Sequence, residues 1–66
     1  MADKWTFEEY KTLVTSQFSV LGRVDTSVAR PIVERNIAIV ITEFKKGHLP
    51  FTAAQVLKAT LVGGRK

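Results

Sequence analysis

The residues able to do proton or electron-pair chemistry are few. There is one histidine, His48, and no cysteine in the 66 residues. A lone imidazole with no thiolate and no second imidazole does not build a zinc site. Nucleophilic catalysis needs a hydroxyl close to a base, and Ser16, Ser19 and Ser27 stand at no recognisable spacing from His48. Glu8 and Glu9 are explained by a helix start, and Glu34 and Glu43 fall on different faces of a helix, so no acid–base pair is set up. Gly63, Gly64, Arg65 and Lys66 have the composition of a phosphate loop. That motif needs a strand before it and a helix after it. The chain is therefore expected to be non-enzymatic, without metal or cofactor, with His48 serving the last carbonyls of a helix.

Charge gives the stronger signal. The net charge is +4 and the pI about 9.9, but the two parts of the chain differ. Lys4 and Lys11 stand against Asp3, Glu8 and Glu9 up to residue 22, and eight cations stand against Asp25, Glu34 and Glu43 beyond it. A basic segment of this kind points to a polyanion such as DNA or RNA. Arg35, Lys45, Lys46, Lys58, Arg65 and Lys66 are the expected phosphate-contacting residues, giving salt-sensitive binding without base readout. No apolar run is long enough to span a bilayer, and the first residues do not form a secretory leader. No membrane partner and a cytoplasmic location are expected.

Three helices are expected to position these residues, at about 6–21, 31–46 and 52–62, in one all-α domain over 1–66. Thr6-Phe7-Glu8-Glu9 is a capping box, with Trp5 and Tyr10 as its hydrophobic staple. Phe7, Tyr10, Val14, Phe18 and Leu21 recur at helical spacing and Gly22 supplies the stop. The second helix starts near Pro31, which suits a first turn, although Asp25, Thr26 and Ser27 offer an earlier cap. Its inward stripe is Val33, Ile37, Val40, Ile41 and Phe44, and Gly47 closes it. The β-branched run in 36–44 gives an α+β alternative with a strand there. Thr52-Ala53-Ala54-Gln55 reads as a second capping box, with Phe51 and Val56 as its staple. Ala53, Val56, Leu57 and Leu61 then face inward, and 63–66 forms a short basic tail.

Apolar residues are left over. Leu13 and Val20 lie off the first stripe, and Ile32 and Ile39 lie nearly opposite the second. A helix apolar on two sides must be covered on two sides, and a core this small needs further support. Leu13, Val20, Ile32 and Ile39 are therefore the expected interface of a homodimer. The same stripe would serve a protein-interaction module (an adaptor, an inhibitor or a small subunit of a larger assembly) docked on a larger protein partner. A helix-turn-helix reader fits poorly: the last helix would present only Ala54, Gln55, Lys58, Ala59 and Val62 to the groove. The segment from Gly47 to Ala59 resembles the turn and last helix of the histone fold. The second helix is several residues short of the long central helix that fold requires, and the family is not assigned.

Overall fold

The computed structural model describes residues 5–63. Four helices follow in order there, α1 (Phe7–Gly22), α2 (Thr26–Arg35), α3 (Ile37–Lys46) and α4 (Pro50–Gly63). Among the described residues there is no strand, so 36–44 does not form one. The chain is all-α. The expected single rod over 31–46 is instead two helices, because α2 starts early and stops at Asn36.

α1 begins as the local chemistry dictates. The Thr6 hydroxyl accepts from the Glu9 amide at 3.1 Å, and the Glu9 carboxylate accepts from the Thr6 amide at 3.0 Å. The Trp5 ring meets Tyr10 edge-on at 6.0 Å, closing the staple. The far end differs from the sequence expectation: Gly22 is still in the helix, and the left-handed residue is Arg23, at φ 56°. The Arg23 amide donates to the Val20 carbonyl, and the Val24 amide reaches back to the Ser19 carbonyl at 3.0 Å. This is the paired bonding that satisfies the last carbonyls of a helix. α3 ends in the same pattern around Gly47, at φ 79°, with the His48 amide bonded to the Glu43 carbonyl at 3.1 Å.

α2 has Asp25 at its N-cap position, where the Asp25 carbonyl accepts from the Val28 and Ala29 amides, both at 2.9 Å. Pro31 therefore lies inside the helix rather than at its start. The earlier start buries Ala29 one turn before Val33, and both are fully buried. The break at Asn36 (φ −111°, ψ 32°) follows from its side chain, whose amide donates to the Ile32 carbonyl at 2.9 Å. A short polar side chain that bonds the backbone locally competes with helix continuation. α4 starts at Pro50, with the Leu49 carbonyl accepting from the Ala53 amide at 3.0 Å. Proline at a first helical position costs nothing, so Thr52 lies inside α4 and its expected capping box does not form.

The core is Tyr10, Val14, Phe18, Ala29, Val33, Val40, Ala53, Ala54 and Leu57. Three alanines at full burial let the helix backbones approach closely. Two residues expected to face inward do not: Ile41 and Leu61 are exposed, while Glu43 is buried. The break at Asn36 lets α3 take its own rotation, which keeps Val40 and Phe44 against the core and turns Glu43 inward in place of Ile41. Phe44 meets Phe7 at 5.3 Å and Tyr10 at 5.0 Å, both edge-on.

Candidate functional site

Two constellations hold the polar chemistry of the fold. The first closes the turn between α3 and α4. Glu43 is 5% exposed, and its carboxylate is paired with Nδ1 of His48. The Tyr10 hydroxyl donates to the His48 carbonyl at 2.7 Å. Burial first, then the neighbouring Glu43 carboxylate, push the Tyr10 phenol from 10.0 to about 12. An ionised phenol would lose its donor and face a carboxylate, so the group is held neutral. His48 does more than serve a helix end: its amide bonds a last-turn carbonyl, and its ring also seals a buried carboxylate.

The second constellation is a groove of about 420 Å³ between α1 and α2, lined by Glu8, Lys11, Thr12, Thr15, Ser16, Thr26, Arg30 and Glu34. Lys11 bridges Glu34 at 3.0 Å and Glu8 at 3.9 Å. The Glu34 carboxylate, as hydrogen-bond partner, raises the Lys11 pKa, and the nearby Arg30 charge opposes the rise. The Thr12 and Thr15 hydroxyls donate to the Glu8 and Lys11 carbonyls. The hydroxyl-rich side of α1 thus becomes the wall of a groove. Sequence alone does not single out Lys11 and Arg30, because only the α1–α2 pairing brings them together.

The expected phosphate-contacting residues are spread out. Arg35 ends α2, Lys45 and Lys46 end α3, and Lys58 lies within α4 beside Leu21, Gln55 and Ala59. All four are exposed. Arg65 and Lys66, with most of the expected basic tail, lie outside the described residues. Arg23, Arg30, Arg35, Lys45, Lys46 and Lys58 make no ion pair among the described residues. The acids are mostly engaged: Glu8 and Glu34 by Lys11, Glu9 by the cap and Glu43 by His48.

The expected interface residues also occupy several faces. Val20 is 71% exposed. Leu13 is half-buried beside Trp5 and Thr12. Ile32 packs against the core, and Ile39 lines a shallow recess with Ala38, Thr42 and Val56. Val28, Leu49 and Phe51 are further exposed apolar side chains that sequence periodicity does not single out.

Among the described residues no group of three acidic or imidazole side chains could hold a metal ion, and no helix is long and apolar enough to cross a membrane. No family model, curated protein or solved structure matches the chain.

Proposed function

We propose that the chain is a non-enzymatic, basic helical binding protein that associates with nucleic acid through phosphate contacts, as a homodimer in the cytoplasm. The observation that carries the reading is the asymmetry of charge pairing. Six exposed cations have no ionic partner among the described residues, while four of the five acids there are engaged. Such a surface attracts a polyanion, and each phosphate neutralised releases counterions. The test is binding to a random duplex across a salt series. About three to four phosphate contacts give a slope of log K against log salt of roughly −3, and affinity that ignores salt refutes the proposal.

A second reading, a protein-interaction module, is favoured by the exposed Val20, Val28, Ile41, Leu49 and Phe51. The same residues support self-association. Light scattering after nuclease treatment separates the outcomes: a dimer supports the first reading, and a monomer leaves these side chains for a different protein.

A further inference from the structure

We infer that the groove between α1 and α2 is a phosphate-binding site with Arg30 as its anchoring cation. The inference rests on the nucleic-acid reading only for the source of the phosphate. The groove combines the donors that recognise such a group. Arg30 carries no ion pair among the described residues, and the Ser16 and Thr26 hydroxyls make no hydrogen bond there. A guanidinium presents a planar fork of donors matched to phosphate oxygens, and two hydroxyls across a groove can complete the set. The uncharged, hydroxyl-rich middle of α1 is a poor choice for helix stability. Its Ser16 hydroxyl is a donor left free, among the described residues, for an oxyanion, and Thr12 and Thr15, whose own hydroxyl protons are spent on the Glu8 and Lys11 carbonyls, line the wall without adding charge.

Glu8 and Glu34 also line the groove, and they set its tuning. Both are held by Lys11. With Arg30, the four charges cancel before a ligand arrives. A phosphate seated on Arg30 competes with Glu34 for the Lys11 amine, so removing the Glu34 charge must strengthen binding.

The test is a titration of the full chain, read by amide chemical shifts, with inorganic phosphate in one arm and a short DNA duplex in the other. Arg30→Gln, Glu34→Gln and the control Arg35→Gln are compared, each verified as helical by circular dichroism. Shifts at Thr12, Ser16 and Thr26 are expected in both arms. Arg30→Gln should weaken binding about tenfold, as loss of a charge-assisted contact implies, and Glu34→Gln should strengthen it about threefold. Duplex binding with shifts confined to Lys45 and Lys46, or equal losses in Arg30→Gln and Arg35→Gln, overturns the groove and leaves nucleic-acid association standing. A response to phosphate without one to duplex keeps the groove and removes the nucleic-acid reading. No response to either overturns both.

Discussion

Replacing Tyr10 with phenylalanine removes one oxygen from a side chain that is 1% exposed. The ring keeps its edge-on contacts with Trp5 and Phe44, so packing is conserved. What is lost is the hydroxyl bond to the His48 carbonyl at 2.7 Å, with the Leu49 carbonyl a weaker second acceptor at 3.4 Å. A hydrogen bond of this kind is worth about 0.5–1.5 kcal/mol net, and a half-sealed carbonyl left without a donor adds to the loss. Tyr10→Phe is expected to cost about 1–2 kcal/mol at neutral pH. That is a large share of the ~3–5 kcal/mol a core of this size supplies.

The pH dependence sharpens the contrast between the two proteins. The folded phenol titrates near 12 against 10.0 when unfolded. A raised value means that the contribution is intact below the unfolded pKa and is lost as pH climbs from 10 through 12. The loss is at most about 3 kcal/mol, at about 1.36 kcal/mol for each unit. Phenylalanine has no such titration. Urea unfolding of both proteins, followed by far-ultraviolet circular dichroism, isolates the effect, because the lysines titrate alike in the two. The stability gap should close, then reverse, across the alkaline range. A gap of constant size from neutral pH to pH 12 would refute the assigned environment of the hydroxyl.

Gly47→Ala should destabilise by about 1 kcal/mol in the same urea assay. A Cβ there meets nothing within 4 Å, so the cost is that of left-handed backbone at φ +79° alone. Arg23→Gly should do the opposite, gaining up to about 1 kcal/mol, since Arg23 holds φ 56° at the equivalent place in α1. An unchanged or lower midpoint would show that Arg23 makes a compensating contact. His48→Ala leaves the buried Glu43 carboxylate without its partner and should cost about 1–3 kcal/mol. Adding Glu43→Leu should recover much of that loss in thermal unfolding.

What can be read before folding depends on the reach of each interaction. The start of α1 is legible because Thr6 and Glu9 bond each other across three residues, and Trp5 and Tyr10 clasp the same turn. Gly47 is legible as a stop because a left-handed residue is a local demand that glycine meets best. The helical class follows from apolar spacing. These features are settled within one or two turns of chain.

The remainder is decided by pairing between elements. Asn36 is one polar residue in a run that reads as continuous, and its bond to Ile32 divides that run once Val33 and Val40 each find their own place in the core. The division sets the rotation of α3, which buries Glu43 against His48 and Tyr10 and leaves Ile41 in solvent. Periodicity alone favours the isoleucine. Arg30 and the hydroxyls of α1 are far apart in sequence and share a groove only because α2 folds back along α1. Side chains a few residues apart carry local structure; which of them face each other across helices is a property of packing, and packing is collective.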